Sequence, residues 1–328
     1  MKRTGWPSGM RVAALLLVLA ALAVPTARAA TKYVTPAGAG GYSGDDWDNA
    51  ASNIQQAVAA CAGENSTIYL KSGTYTNSAT IGVTNHPGLT IIGGYLGDGG
   101  TSTNPGSSPS IITRGAGSIR IIYCGGSTVT LDRLTVSNGV VSSGMLVGGG
   151  LFLSNCVTVI TNCFLVNNGG GNSSWGGGIG VMTGTLHVAD SIFRNNSLGY
   201  NNRGGAALYA DSRATVTLDE VLFASNSIAG YDWTTGGCLY LTDCGLQVRN
   251  CRFIGNNRTG GYFAGGILHL NALTSLIITN CIFSDNVAGS YFHSGVIYLT
   301  GAGANGMQVI DTTMMNNTAT YGGSAYGP

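Results

Sequence analysis

The chain is 328 residues long, with 15 basic and 14 acidic residues, a formal net charge of +1 and 53 glycines. Only 9% of residues are charged against 44% hydrophobic, which excludes a disordered chain and offers no basic face for nucleic acid. So much glycine beside so much apolar residue points to many short strands joined by many turns.

Residues 1–29 read as an export signal. Lys2, Arg3 and Arg11 surround the start of an apolar run at 12–24 that is too short to span a bilayer, and Ala27-Arg28-Ala29 fits a small-residue cleavage site. Removing Lys2, Arg3, Arg11 and Arg28 leaves 11 basic against 14 acidic residues, a net of −3. No later segment is long and apolar enough for a transmembrane helix. The expected location is secreted or cell-surface, associated with an outer membrane, with no transmembrane segment in the mature chain.

Residues 30–63 form a distinct entry. A short strand is expected at 32–35. Ser52-Asn53-Ile54-Gln55 has capping-box spacing, and Ile54, Ala57, Val58 and Cys61 then fall at i, i+3, i+4 and i+7. That is one amphipathic helix, suited to cover the open apolar end of a stack of strands. Asp45, Asp46 and Asp48 crowd the region just before it, where acidic residues are favoured electrostatically, so no metal site is expected there.

From residue 64 to the end, a β-helix is expected. Early strands are read at 67–70, 89–92, 110–113, 118–123 and 128–136, between turns rich in Gly, Ser, Asn and Pro. A repeat then takes over. Its closing asparagines are Asn138, Asn168, Asn196, Asn226, Asn256, Asn286 and Asn317, in steps of 30, 28, 30, 30, 30 and 31 residues. Glycine pairs such as Gly149-Gly150 and Gly177-Gly178 open the units. Alternating aliphatics follow, as in Leu151/Leu153, Leu239/Leu241 and Leu268/Leu270, then Leu186/Val188, Leu276/Ile278 and Met307/Val309. Leu165, Phe193, Phe223, Phe253, Phe283 and Met314 precede the asparagines. Each position keeps its size class, as stacking on a counterpart about 4.8 Å away requires. The fold class is therefore all-β: a right-handed single-stranded parallel β-helix, a solenoid of about 30 residues per coil, with an N-terminal capping helix. A new unit opens at Gly322-Gly323 without a cap, so the stack is expected to be truncated at its C-terminal end.

The closing asparagines read as buried turn amides that satisfy backbone groups and one another, in a residue type that also tolerates the left-handed conformation. A second polar column, Asn162, Asp190, Glu220, Asn250, Asn280 and Asp311, mixes acids and amides and reads as a solvated turn.

Paired glycine, alternating aliphatics and an aromatic-x-x-Asn ending such as Phe253-Ile254-Gly255-Asn256 resemble the repeats of the polymorphic outer membrane proteins. They are also similar to related bacterial parallel β-helix proteins of the pectin-lyase-like superfamily. Tyr33-Val34-Thr35-Pro36, Ser72-Gly73-Thr74-Tyr75-Thr76 and Gly93-Gly94-Tyr95 extend the likeness over nearly all of the mature chain. The resemblance implies a secreted or cell-surface protein, adhesin-like, binding a polysaccharide or cell-surface partner. It leaves as the alternative a polysaccharide lyase or glycoside hydrolase acting on acidic polysaccharides.

The residues weigh against catalysis. Asp45-Asp46 and Asp219-Glu220 are the adjacent acid pairs, there is no Asn-x-Asp or Gly-His-Gly, and His86, His187, His269 and His293 stand apart from acids and cysteines at ligand spacing. No catalytic residue, metal ligand or cofactor is expected. Arg249, Arg252 and Arg258 cluster near one coil. The eight cysteines include Cys251 and Cys281 at equivalent places in adjacent coils, either within disulfide reach or packed as free thiols. Candidate binding residues lie between each asparagine and the next glycine pair: Trp175, Tyr200, Tyr231, Trp233, Tyr262, Phe263, Tyr291 and Phe292, with Tyr321 after them. Phe152, Tyr209, Tyr240, His269 and Tyr298 occupy the outward position of the first strand. These aromatics either line a strip for sugar or partner contact, or fold over one another as a second small core.

Overall fold

The computed structural model describes residues 29–97, 108–142, 147–199, 204–229, 236–259, 265–289, 294–301 and 307–319. Among them the chain winds through three parallel sheets, every pairing joining one coil to the next. The long sheet runs from Thr31–Val34 to Ser294–Thr300 and carries two bent halves per coil. In Leu151–Thr161 and Ile179–Ala189 the halves are one continuous strand. The second sheet is built from three-residue strands such as Ile192–Arg194, Leu222–Ala224 and Arg252–Ile254. The third follows the asparagines, in Gly169–Gly170, Ser197–Leu198 and Ser227–Ala229. The sequence-based reading counted the two halves of the long sheet as separate strands and took the third sheet for loop, because two residues are too few to show a period.

The early segment is no less regular than the rest. Gly73–Asn77 and Ile81–Thr84 are strands that alternation alone did not reveal. The strand expected at 118–123 lies at Ile122–Gly125, and the one expected at 128–136 is split into Thr128–Asp132 and Leu134–Ser137 by Arg133, whose φ is +54°. Ile54–Ala60 is helical, and Ile54, Ala57 and Val58 join one core with Val34, Ile68 and Ile81. Its cap is Asn53 rather than Ser52: the Asn53 Oδ1 accepts from the Gln55 and Gln56 amides at 2.7 and 3.4 Å. The Gln55 side chain exchanges two hydrogen bonds with the Gly82 backbone, tying the helix to the following coil instead of closing a capping box. Asp45 and Asp46 stand well before that cap and serve the loop, Asp45 on Lys32 and Asp46 on Asn49.

The interior is a set of side-chain columns. Phe193, Phe223, Phe253 and Phe283 stack with ring centroids 4.9, 4.7 and 4.5 Å apart and planes within 26° of parallel. Beside them runs an amide ladder. The Nδ2 of Asn168, Asn196, Asn226, Asn256 and Asn286 each donates to the next asparagine's Oδ1 at 2.8 to 3.1 Å. The same Nδ2 groups donate to carbonyls of the preceding coil, such as Leu165 O and Phe193 O. Each Oδ1 also accepts the backbone N–H of the preceding asparagine. Every amide in the middle of the ladder therefore uses two donors and two lone pairs.

Two expectations about asparagine change. Asn138 lies one residue out of the ladder: Gly139 occupies the ladder position, its N–H bonding Asn168 Oδ1 at 2.9 Å. The left-handed residue is the one before each ladder asparagine: Asn167, Asn195, Ser225, Gly255, Asp285 and Asn316 have φ of 53° to 60°. The second polar column is left-handed too, from Asn162 at +53° to Asp311 at +49°. Backbone conformation, rather than charge, selects those residues, which is why acids and amides alternate there. Gly148 and Gly176, just ahead of the expected pairs, have φ of +70° and +64°, and a Cβ on either would overlap the Leu151 or Ile179 carbonyl. At the far end, Val309 and Met314 hold inward columns yet are 51% and 43% exposed, being in the last described layer.

All eight cysteines are buried and free. Cys251 and Cys281 instead donate to the carbonyls of Arg249 and Thr279, two residues back, at 3.0 and 3.2 Å. Burial pushes Cys61 up to about 11 and Cys163 up to about 12.

Two outcomes follow. Under non-reducing conditions thiol titration should find no reactive cysteine in the folded protein and all eight in denaturant; fewer than eight would reveal a bridge. Asn226→Ala should cost roughly 2–5 kcal/mol in chemical denaturation, because four ladder partners lose a bond, whereas Asn250→Gly in the exposed column should cost under about 1 kcal/mol. Equal effects would show that the ladder adds nothing beyond turn conformation.

Candidate functional site

The outward column of the long sheet is a row of rings, one per coil. Tyr209 pairs in register with Tyr240, Tyr240 with His269 and His269 with Tyr298. Their centroids are 5.6, 5.0 and 5.0 Å apart. Tyr123 and Phe152 begin the same column at 5.5 Å, with the Arg120 guanidinium 4.9 Å over the Phe152 ring. Gly180 interrupts it, where a side chain would collide with Val147. Stacking at the coil rise makes this row inevitable once the outward positions are aromatic.

Of the expected loop residues, Trp175 is described. It stacks on Tyr209 at 5.6 Å and 17°, and its backbone bridges Val147 and Gly204. The loop thus folds back over the sheet there, and Trp175 stays half-buried while packing on Tyr209. Tyr200, Tyr231, Trp233, Tyr262, Phe263, Tyr291, Phe292 and Tyr321 lie outside the described residues.

The row is polar as well as aromatic. The Tyr209 hydroxyl donates to Asp211 Oδ2 at 2.8 Å, and burial and that carboxylate push its pKa up. His269 is 5% exposed, with Nε2 3.2 Å from Thr300 Oγ1. Burial first, and the Arg258 charge second, hold its pKa down to about 3. Arg258 is fully buried in the third sheet, its Nη1 donating to Gly289 O at 2.5 Å, and burial lowers its pKa to about 10. The three arginines read as a cluster meet different surroundings: Arg249 pairs with Asp219 at 2.9 Å, Arg252 is exposed on the second sheet, and Arg258 is buried in the column of Leu198 and Ile228. His86 is buried against Cys61 O, and His187 is half-buried on the long sheet.

Two surfaces escaped the sequence reading. The outer face of the second sheet carries a largely apolar groove of 250 Å³ lined by Thr135, Phe164, Val166, Ile192 and Arg194. The other is a group of four rings, Tyr33, Trp47, Tyr69 and Tyr95, on the first coils. The alternation that marks inward residues says equally that their neighbours point outward, but not whether outward residues are covered. Among the described residues no three His, Cys, Asp or Glu side chains could hold a metal ion, and no helix is long and apolar enough to cross a membrane.

The family described as "Right handed beta helix region" matches residues 121–326. "Metabotropic glutamate receptor-like protein R" of Dictyostelium discoideum is 28% identical over 158 residues, which are 47% of this chain and 9% of that relative. The chain thus spans under a tenth of that relative's length. Among solved structures, the pectin methylesterase from Aspergillus niger is similar at 14% identity and a TM-score of 0.40, covering 90% of each chain. A rhamnogalacturonan lyase is similar at 11% identity and a TM-score of 0.34, covering 88% of this chain and 87% of its own.

A histidine kept neutral by burial makes stability depend on pH. Its folded pKa is depressed, so above about pH 6.5 it costs nothing, and stability falls as pH drops from there toward about pH 3, because the unfolded chain takes up the proton first. Denaturant melts at about pH 4.5 should show the native chain losing about 2 kcal/mol more, relative to neutral pH, than His269→Tyr, which keeps a ring in the row. Identical losses in both proteins would place the acid sensitivity elsewhere.

Proposed function

Because this chain belongs to the right handed β-helix family, we propose that its coils form a rigid, non-catalytic scaffold displaying repeated side chains to a polysaccharide or cell-surface partner. We place it outside the cell, secreted or associated with the outer membrane, as an adhesin-like module with polymorphic outer membrane protein-type repeats. The basic, apolar and small-residue order of residues 1–29 supports export. The observation that carries the binding reading is the row Tyr209, Tyr240, His269 and Tyr298 at 5.0 to 5.6 Å, in which Tyr240 and Tyr298 are half-buried and open to a ligand while Tyr209 and His269, alternating with them, are buried. A linear polymer laid along the axis would meet an accessible ring at every second coil, so weak contacts would add along its length. The loop residues Tyr200, Tyr231, Trp233, Tyr262, Phe263, Tyr291 and Phe292 precede these strands in sequence and are proposed to extend the strip.

The test is a Trp233→Ala/Tyr262→Ala double variant assayed by affinity electrophoresis in polysaccharide gels, with thermal melts alongside. Loss of retardation with an unchanged melt is expected. Unfolding of the variant would make these loops a second core and remove them from the site. Incubation of the native protein with polyuronates and calcium should yield no unsaturated products; their appearance would overturn the non-catalytic reading in favour of a lyase.

A further inference from the structure

The four rings on the first coils form a closed group on the outer face of the long sheet. Tyr33 meets Trp47 at 4.9 Å and Tyr69 at 5.4 Å, while Tyr95 meets Tyr69 at 4.9 Å and Trp47 at 6.0 Å. All four are half-buried. Beyond Tyr95 lies an ion pair, Arg133 Nε to Asp132 Oδ2 at 2.9 Å, with the Arg133 guanidinium 5.5 Å from the Tyr95 ring centroid. Asp132 is held in place from the next coil, its Oδ1 accepting from Thr161 Oγ1 and Asn162 Nδ2, both at 3.0 Å.

From this geometry we propose that Tyr33, Trp47, Tyr69, Tyr95, Asp132 and Arg133 form a saccharide-binding site at the N-terminal end of the solenoid, separate from the strip over the later coils. The proposal rests on the carbohydrate-binding reading above and assigns it a second location. Packing alone does not account for the choice of residues. Where Trp175 holds a later loop on the sheet by stacking on Tyr209, the Tyr209 hydroxyl is bonded to Asp211. Here the Tyr33 and Tyr69 hydroxyls and the Trp47 indole N–H make no hydrogen bond with any described residue, and none of them is sealed from solvent. The site thus offers flat C–H-binding faces rimmed by donors and acceptors of both kinds. A carboxylate can accept about four bonds, and Asp132 receives three from the described residues, leaving it one for a ligand. Mixed polar tips beside aromatic faces suit a polyol whose C–H and O–H surfaces alternate. With the Arg133 charge already matched by Asp132, they do not suit a polyanion. The rings follow successive coils from Tyr33 through Tyr69 to Tyr95, so the ligand would be an oligosaccharide lying along the axis.

Calorimetric titration of the full chain with neutral cello-, malto-, xylo- and chito-oligosaccharides, and with galacturonate oligomers, tests this. At least one neutral oligosaccharide should bind, and Trp47→Ala and Asp132→Asn should each weaken that binding by about tenfold or more. Titration in the Trp233→Ala/Tyr262→Ala background removes the later strip's contribution, and the losses caused by Trp47→Ala and Asp132→Asn should persist there. If Trp47→Ala lowers the melting temperature, Asp132→Asn decides, because it leaves all four rings in place. Undiminished binding by Asp132→Asn and by a folded Trp47→Ala protein would overturn this site while leaving the later strip standing. Preference for galacturonate oligomers over neutral ones would overturn the ligand class. No binding of any sugar by the native chain would overturn the carbohydrate reading itself, and this site with it.

Discussion

The amide ladder is the constraint on which the rest of the solenoid depends. A side-chain amide buried in a sheet-to-sheet turn has two donors and two lone pairs to satisfy, and no water reaches it. From Asn168 to Asn317 it meets them along the coil axis, bonding its counterparts above and below and the neighbouring backbone. Such a bond pattern closes only if each coil repeats the last in register. Variation in coil length, from 28 to 31 residues, therefore falls outside the ladder, in the segments between the third sheet and the next long strand and at the bend between the two halves of the long sheet. The Phe193–Phe283 stack on the neighbouring strand follows from the same register, since rings displaced by one residue would point outward.

Register also shapes the outside. A position that points out in one coil points out in all, so one aromatic preference becomes a row and one aliphatic preference becomes a groove. The long sheet shows the first in Tyr209, Tyr240, His269 and Tyr298, and the second sheet shows the other in Phe164 and Ile192. Rows of this kind are partly closed by the loops that cross them, as Trp175 does over Tyr209. A solenoid can thus divide the same outward column between packing and recognition, coil by coil, through the length and composition of its loops.

Charge is used sparingly and locally. Asp132, Asp219 and Asn250 accept or donate across coils at the bend between the long and second sheets, linking neighbours as the buried amides do, but in solvent. Arg258 departs from this pattern. Its column otherwise holds Leu198, Ile228 and Ala288, and its charge helps keep His269 neutral.

Much of the fold was legible in the residues. Spacing of the asparagines, persistence of size class in the aliphatic columns and the outward aromatics all arise from one translation repeated many times, and translation leaves its period in the sequence. Asn138 misled because it satisfies the spacing while standing one residue out of register, a difference that the hydrogen bond from Gly139 to Asn168 decides. The third sheet and the division of the long one were hidden because strands of two residues have no period. Of the candidate site, alternation placed the row; it did not reveal that Trp175 closes over Tyr209, that Tyr33, Trp47, Tyr69 and Tyr95 converge, or that three neighbouring arginines meet three different surroundings. Those are contacts between segments far apart in the chain or on different faces of one coil. By itself, then, the sequence determined the repeat, its period and which residues face inward, because stacking requires like over like. Only the tertiary structure decided which outward residues are covered and which stay open, because that depends on how loops of unequal length cross the finished surface.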